Sequence, residues 1–423
     1  MKRVYRKSNQ KINSKNPCLQ LDLDAEAMVK TLREEIHAFA VQAGLAVAQS
    51  LLVDEVNRLC GPRYAHDPNT ELFRHGSQPG WAVMAGQKVG LKKPRVQKKG
   101  GGEVTLERYA LLQQSDALDE AALRRMIRNV STRNYEAVVD TATESFGVKK
   151  SSVSRNFVRA SAAELKTLCE RCWDDERFVA IFIDGKNFAD AMIVVALGVT
   201  EKGEKRILGL RQGATENAEV VKALLEDLAE RGVKTGEDTL FVLDGAKALA
   251  SAVRKLWGQR ALIQRCRIHK KRNVEGHLAE KHHEELHSRL RTAWDESDYE
   301  KALKSLKTTA AWLERLNPDA ASSLREGMAE MLTVTRLGVT GALLKTLATT
   351  NPIESALSVA ADTTRRVKRW REGDMRLRWC AAGMLRAESR FRRVRGYADL
   401  PKLIQAMERA LQNQTVDIGQ QAA

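Results

Sequence analysis

The sequence has few cysteines and no long apolar segment. Its six cysteines are scattered along 423 residues, a distribution that argues against a disulfide framework. The longest apolar runs, RFVAIFID and AMIVVALGV, are far shorter than the roughly 20 residues of a membrane-spanning helix. The basic start, MKRVYRKSNQKINSKNP, lacks the apolar block of a secretory signal. We therefore expect a cytoplasmic protein with reduced thiols and no membrane partner.

Positive charge is in large excess. The formal net charge is +16, and fields of this sign attract polyanions. The charge is uneven, because KKPRVQKK at 92–99 contains no acid and RRVKRWREGDMRLRW is similarly dense. One such run is usually a solvated surface, but several in one chain favour nucleic acid as the partner.

The length predicts two to four domains, and composition suggests their limits. Apolar spacing over 22–60 predicts an amphipathic helix ending at Gly61 and Pro62, and the stretch 74–103 reads as short strands and loops. We predict seven regions: a basic flexible tail (1–21), a helical and basic extended region (22–105), a helix-turn-helix-like region (106–175), the first part of an α/β core (176–272), an α-helical insertion (273–345), the last part of the core (346–410) and a flexible tail (411–423).

The segment 131–161 predicts a helix, a turn at Gly147 and a second helix. A helix-turn-helix of this kind would place Ser152, Ser154, Arg155 and Asn156 against base edges or phosphates, with Lys149 and Lys150 at the helix start. Ordinary helical bundles contain the same pattern, so DNA contact is one of two interpretations. The basic residues that could lie along the DNA backbone upstream are Lys92, Lys93, Arg95, Lys98 and Lys99.

From residue 177 the pattern changes to apolar strands, in the order β-β-β-α-β-α-β. This order predicts a ribonuclease-H-like arrangement, a mixed sheet with helices on its faces. The charged, strand-free stretch 273–345 then predicts a helical insertion before the pattern resumes.

Two aspartates mark the ends of apolar strand runs, in IFIDGK and FVLDGAK. Carboxylates at the ends of neighbouring strands can hold divalent cations, and Asp184 and Asp244 are the candidates. Two Mg²⁺ ions in such a site can activate an attacking oxygen and stabilise a leaving one at phosphorus. Mn²⁺ is expected to replace Mg²⁺.

Glu354, in TTNPIES, is the third candidate ligand. The stretch also reads as a helix start, with Asn351 as the cap, Pro352 at the first helical position and Glu354 reaching back. If the helix continues, Arg365 and Lys368 return to the face of Glu354 and could contact DNA.

The ordered set VAIFIDGK, FVLDGAKALASAV, QRCRIHKKRNV, TTNPIES and RRVKRWREGDMRLRW resembles the IS256-family transposases of the Mutator superfamily. The resemblance implies a ribonuclease-H-like core with Asp184, Asp244 and Glu354 as a catalytic triad, interrupted by a helical insertion. It also implies a Cys-x-x-His signature, matched by Cys266 and His269, to which we assign packing and positioning rather than zinc binding. The expected partners are double-stranded DNA, as terminal inverted repeats and target, and further copies of the chain, at least a dimer. The chain departs from many transposases of this broad type at Ala361, where they carry Lys or Arg.

Two other motifs and two rival functions remain. HEELH at 283–287 matches the zinc-protease pattern, but its flanks read as a charged exposed helix with no third ligand. Cys169 and Cys172 have metal-ligand spacing without a second pair. The rival functions are a ribonuclease-H-like nuclease or resolvase, and a DNA-binding regulator derived from a transposase whose site has decayed.

Overall fold

The computed structural model describes residues 25–64, 70–84, 86–135, 145–146, 149–213, 218–234, 239–258 and 261–421. At 25–38, 145–146 and 411–421 it describes the backbone alone. The chain divides into two compact units, one of residues 1–117 with 137–148 and the other of residues 118–136 with 149–423.

The first unit is a long helix on a small antiparallel sheet. Its elements are α1 (Ala25–Cys60), β1 (Leu72–Met84), β2 (Gln87–Lys98), β3 (Glu103–Val104), α2 (Glu107–Leu112) and β4 (Ser145–Phe146). Strand β2 pairs with β1, β3 and β4. Leu52 and Val56 of α1 are buried with Ala82 and Leu91 of the hairpin. The predicted helix is confirmed, and the basic stretch forms a long hairpin rather than short strands.

Helix α1 contains the segment Phe39–Cys60, which is long and apolar enough to cross a membrane by length and composition. It is the one such segment in the described part of the chain. A mostly buried core helix passes the same test, but here only 28% of the tested window is buried. The buried residues include Val41, Ala48, Leu52 and Val56, and the exposed ones include Phe39, Val47, Leu51 and Val53.

The second unit is built on a five-stranded mixed sheet. Its elements before the sheet are α3 (Asp116–Met126, which starts at the boundary of the units) and α4 (Lys150–Cys169). The sheet region contains β5 (Phe178–Phe188), β6 (Ala191–Thr200), β7 (Lys205–Gly213), α5 (Ala218–Glu230), β8 (Leu240–Leu243), α6 (Lys247–Trp257) and β9 (Leu262–Arg265). The strand order is β7-β6-β5-β8-β9, with β5, β6 and β7 antiparallel and β8 and β9 parallel to β5. The predicted α/β class and order of elements are confirmed.

Alternate residues of the central strand serve two separate cores, because successive side chains of a strand point to opposite faces. Phe182 packs in the cluster that contains Met384 and Leu403. Its neighbours Ile181 and Ile183 pack in the cluster that contains residues of α5 and α6. The strand is buried on both sides, and this explains its continuous apolar run.

Only helices and turns follow the sheet. They are α7 (Arg267–Glu275), α8 (His283–Asp295), α9 (Tyr299–Glu314), α10 (Pro318–Arg325), α11 (Thr333–Arg336), α12 (Gly341–Leu347), α13 (Asn351–Thr364), α14 (Met375–Glu388) and α15 (Leu400–Gln421). Residues 273–345 form no strand, as predicted, and α7 to α10 share a core of their own that includes Leu286, Leu290, Leu306 and Leu313.

The predicted helix-turn-helix is not found in the described residues. Residues 131–135 form turns, and Ser145–Phe146 pairs with β2 as a strand, whereas 136–144 and 147–148 lie outside the described residues. The second helix is present as α4, and it packs on α14 through Phe157, whose ring centroid lies 4.3 Å from that of Trp379. Arg378 also donates a 3.1 Å hydrogen bond to the Ser161 hydroxyl. Helix α4 is therefore part of the packed core of the second unit.

Candidate active site

Asp184 and Asp244 lie side by side on neighbouring parallel strands. Ile183 of β5 pairs with Leu243 of β8, and each aspartate is the next residue along its strand. Strand β5 continues to Phe188 against β6, so Asp184 stands within the strand rather than at its end as predicted. Asp184 does lie at the point where the parallel pairing of β5 with β8 ends. Asp184 and Asp244 are therefore at the same level on two neighbouring strands.

Backbone amides orient both aspartates. The Gly185 amide donates to Asp184 Oδ1 at 2.9 Å, and the Ala246 amide donates to Asp244 Oδ1 at 2.8 Å. Asp184 is only 6% exposed, whereas Asp244 is half-buried. The two side chains thus have few rotamers available.

The electrostatics concentrate negative charge at this point. Burial, followed by the charges of Asp244 and Glu354, raises the pKa of Asp184 to about 7 against the opposing effect of His269. None of the described lysines and arginines forms an ion pair with either aspartate. The sheet therefore brings two carboxylates together, and His269 is the basic side chain that partly offsets their charge.

Glu354 lies in the first turn of α13, near enough to Asp184 for its charge to raise the pKa of that aspartate. The helix begins at Asn351, and Thr350 occupies the N-cap position without capping through its side chain. The predicted Asn351 cap is therefore wrong, while Pro352 does lie in the first turn. The Thr350 hydroxyl donates to Glu354 Oε1 at 2.7 Å, so the carboxylate is held by a side chain rather than by the helix amides.

Cys266 and His269 support the same corner. Cys266 follows β9, and its amide donates to the Leu243 carbonyl at 2.7 Å. Its thiol accepts a hydrogen bond from the Thr350 amide at 3.4 Å. His269 Nδ1 lies 3.2 Å from the Thr350 hydroxyl and 3.7 Å from Glu354 Oε1. Cys266 and His269 thus contact Leu243, which precedes Asp244, and Thr350, which holds Glu354.

The charges of this corner are coupled. A hydrogen bond with Cys266, together with the charges of Cys266, Asp184 and Glu354, raises the pKa of His269 to about 9 against the opposing effect of burial. Burial alone would raise the pKa of the Cys266 thiol, but hydrogen bonds with His269 and Thr350 outweigh it and lower the pKa. Ligand atoms of Cys266, His269 and Glu354 lie within 4.8 Å of one another. Because the thiol is fully buried and already bonded, we interpret the pair as a support for Glu354 rather than as metal ligands.

The basic residues predicted on β2 differ in their surroundings. Lys92, Lys98 and Lys99 are exposed. Lys93 and Arg95 both form ion pairs with Glu103, at 3.0 and 3.2 Å.

The polar residues predicted on α4 also divide. Lys149, Lys150, Ser154 and Arg155 are exposed at the start of the helix. Asn156 is buried and accepts a 2.8 Å hydrogen bond from Arg159, so its predicted availability to DNA is wrong.

The predicted continuation of α13 is also wrong. The helix ends at Thr364, which leaves Arg365 as its C-cap and Lys368 beyond it, both exposed. In the stretch that follows, Arg376 donates to Asp190 at 2.9 Å and Arg378 donates to Asp374 at 3.0 Å. Two of the seven basic residues of this run are therefore held in ion pairs within the protein, whereas the first five are exposed.

The zinc-protease pattern is occupied by local contacts. His283 Nε2 lies 3.2 Å from the Glu275 carbonyl, and the His287 ring contacts the Glu275 carboxylate. Cys169 and Cys172 are free thiols. Among the described residues, neither motif forms a group of metal ligands.

Sequence reasoning missed Thr350, which contacts three residues of the site. A helix-start pattern assigns Thr350 no chemistry, and its role depends on β9 and α7 lying beside α13. The repeated threonine in TTNPIES was its one visible signal.

The chain is similar in sequence to transposases of several bacterial insertion sequences. The transposase for insertion sequence element ISRM5 of Rhizobium meliloti (strain 1021) is 26% identical over 303 residues, 69% of this chain and 73% of that protein. The transposase for IS256 in transposon Tn4001 of Staphylococcus aureus is 26% identical over 202 residues, 44% of this chain and 47% of that protein. The transposase for IS905 of Lactococcus lactis subsp. lactis (strain IL1403) is 24% identical, over 53% of this chain and 57% of that protein. The matches to the latter two thus span about half of their length.

The family model described as "Transposase, Mutator family" matches residues 21–371, which include all three carboxylates and the helical segment between them. The chain belongs to the Mutator family of transposases.

Proposed function

We propose that this chain is a DNA transposase that binds the terminal inverted repeats of an insertion sequence and cleaves and joins DNA with Asp184, Asp244 and Glu354. One observation carries the proposal: two aspartates are adjacent on parallel strands, and Glu354 is near enough for its charge to raise the pKa of Asp184. The ribonuclease-H-like type of the core is part of the proposal. It is supported by the sheet order, with three antiparallel strands followed by two strands parallel to the first.

The donor set suits Mg²⁺. Hard divalent cations prefer oxygen ligands, and the site offers three carboxylates with no ion pair to a described lysine or arginine. Asp184, Asp244 and Glu354 would hold two Mg²⁺ ions, or Mn²⁺ in their place. When bound, such ions polarise the phosphoryl group and stabilise attacking and leaving oxygens in an in-line displacement.

The residues of the chain position this chemistry. Strand pairing fixes the spacing of the aspartates, and backbone amides fix their rotamers. Thr350 and His269 lie against Oε1 of Glu354, and no described group donates to Oε2. One oxygen of Glu354 is thus anchored while the other is available to a cation.

The proposal assigns DNA recognition chiefly to the chain before the sheet, where Lys92, Lys98 and Lys99 are exposed and α4 presents Lys150 and Arg155. Double-stranded DNA is the substrate, both as element ends and as target. Action on two ends requires at least a dimer on DNA, in the cytoplasm at the nucleoid. The family membership and the names of the relatives support DNA as partner.

Two rival functions share these features in part. A ribonuclease-H-like nuclease or resolvase would use the same sheet and metals. A decayed regulator would bind DNA only, but the presence of all three carboxylates in one site argues against decay.

A strand-transfer assay separates the three functions. The purified full chain would be given a labelled duplex from the DNA that flanks its gene, a supercoiled plasmid and Mg²⁺. A transposase releases the end and joins it to the plasmid, a nuclease cuts without joining, and a regulator only binds. Cleavage without joining, or binding alone, would overturn the proposal.

A further inference from the structure

A basic groove lies along α6, the helix that follows Asp244 in the chain. It is about 380 Å³ in volume and is lined by Lys247, Ala250, Ser251, Arg254, Lys255 and Arg265. Four of these six residues carry positive charge, and none is acidic. The groove is separate from the carboxylates and from the basic residues predicted on β2 and α4.

Strand register places the groove next to the active site. Arg265 of β9 pairs with Leu243 of β8, the residue before Asp244. Its side chain then packs against Gly245, because a Cβ atom there would lie 3.2 Å from Arg265 Cγ. Gly245 has φ +109°, a conformation that favours glycine. The wall of the groove thus starts one residue beyond the Asp244 carboxylate.

Two arginines of the groove share one carboxylate. The Arg265 side chain is only 7% exposed, and its Nε donates to Glu330 Oε2 at 3.1 Å. Arg254 contacts the other oxygen of Glu330. Glu330 therefore orients both guanidinium groups but balances the charge of only one.

A second carboxylate is shared in the same way. Glu326 lies 3.6 Å from Lys247 Nζ and 3.5 Å from the buried Lys270 Nζ. Together, two carboxylates face four cations in this network, which leaves an excess of two positive charges. Lys255 adds a further charge, with no acidic partner among the described residues.

The exposed cations form a row along α6. Lys247, Ser251 and Lys255 recur every four residues, so they share one face at a rise of about 6 Å per step. The helix starts at Lys247, and its N-cap, Ala246, provides no side chain to its free amides. A helix N-terminus carries partial positive charge, which adds to the field at this end of the row. The row extends over two helical turns, so it matches a string of phosphates better than a single anion.

We propose that this groove binds the phosphate backbone of the DNA strand that leads into the site at Asp184 and Asp244. The inference rests on the proposed function, because it assigns the groove to the same DNA substrate. Lys247 and Lys255 contact phosphates as mobile charges, Ser251 donates a hydrogen bond, and Arg254 and Arg265 provide a fixed positive wall held by Glu330. The strand would thus be held along the α6 face of the sheet, towards the edge at which Asp184 and Asp244 lie, by a surface that the helical insertion helps to build.

The test is the double variant Lys247→Gln/Lys255→Gln in the full chain. Binding to a 30-base-pair duplex of the DNA that flanks the gene is measured by fluorescence anisotropy over a KCl series, with Ca²⁺ to limit turnover. Because each lost phosphate contact lowers the salt slope by about one, the slope should fall by about two. The control is Lys304→Gln/Lys307→Gln, which removes two exposed charges from α9 and should leave the slope unchanged. Both double variants should keep the melting temperature of the unmodified chain.

A second measurement locates the contact. Neutral methylphosphonate linkages are placed next to the cleavage position of the same duplex. These neutral linkages should weaken DNA binding by the unmodified chain, because they remove phosphate charges that Lys247 and Lys255 contact. They should have little effect on the binding of Lys247→Gln/Lys255→Gln, which has already lost those two lysine charges. An unchanged salt slope, or equal sensitivity of both proteins to the neutral linkages, would overturn the groove assignment. Both readouts measure DNA binding and need no catalysis, so they test the groove alone. The proposed function is tested separately, because it fails if the unmodified chain does not cleave and join DNA.

Discussion

Asp184→Asn should stabilise the protein in the absence of metal. Burial, then the charges of Asp244 and Glu354, raise the pKa of Asp184 from 3.8 to about 7. Ionising this carboxyl therefore costs more free energy in the folded than in the unfolded chain, up to about 4 kcal/mol for a shift of this size. The penalty is absent below about pH 4, grows as the pH rises through the folded pKa near 7, and is complete above it. Asparagine keeps the shape and the amide hydrogen bond but carries no charge.

The assay is thermal unfolding of EDTA-treated protein at pH 8 and pH 4. The variant should melt several degrees above the unmodified chain at pH 8, since about 1 kcal/mol corresponds to roughly 2–4 °C for a unit of this size. The difference should vanish at pH 4, and Mg²⁺ should narrow it at pH 8 by stabilising the unmodified chain. Asp190→Asn is a control that should lower stability at pH 8 rather than raise it. A hydrogen bond from Arg376 lowers the pKa of Asp190, so the ionised Asp190 stabilises the fold at pH 8 and this stabilisation is lost on acidification. A metal-free Asp184→Asn protein that is less stable at pH 8 would refute the account of a crowded, unpaired carboxylate.

Three further predictions concern the surroundings of the site. Glu330→Gln should destabilise the second unit by about 3 kcal/mol in urea unfolding, because it leaves two partly buried arginines without their carboxylate. The control is the exposed Glu314→Gln, which should cost less than about 1 kcal/mol. Equal losses of stability in the two variants would contradict a buried network around Glu330. Thr350→Val should slow strand transfer by up to about 100-fold with DNA binding retained, since small misplacements of a catalytic group are costly. Thr350→Ser keeps the hydroxyl and should have the normal rate. A normal rate for Thr350→Val would show that the hydroxyl has no role in positioning Glu354. Arg365→Ala with Lys368→Ala should slow strand transfer without lowering the melting temperature, because both side chains are exposed; normal transfer would exclude them from DNA contact.

The sequence was sufficient to predict the elements whose periodicity is strong. Helix α5 shows its buried face directly, as Val221, Leu224, Leu225 and Leu228. The two aspartates could be paired before any coordinates were known, because both follow apolar strands in an order that makes those strands neighbours. Glu354 was a candidate ligand at the start of a helix, and the resemblance to a family added it to the triad.

The remainder depended on contacts between distant parts of the chain. Strand β5 continues through the polar stretch DGKNF because β6 pairs with it. The local pattern of apolar residues cannot predict this pairing. Charge density predicted DNA contacts in the stretch after α13, but Arg376 is paired with Asp190, 186 residues away. The first helix of the predicted helix-turn-helix was inferred from propensity alone, yet Ser145–Phe146 joins a sheet.

The most direct test of the central claim is metal-dependent cleavage and joining by Asp184→Asn, Asp244→Asn and Glu354→Gln, each measured beside DNA binding. Each substitution removes a carboxylate and keeps its size, so each variant should bind the duplex from the gene's flanks as the unmodified chain does. Each should lose cleavage and joining in Mg²⁺ and in Mn²⁺, since protein carboxylates are the ligands that hold the ions. Near-normal activity of any one variant with either metal would exclude that residue from the triad and contradict the account.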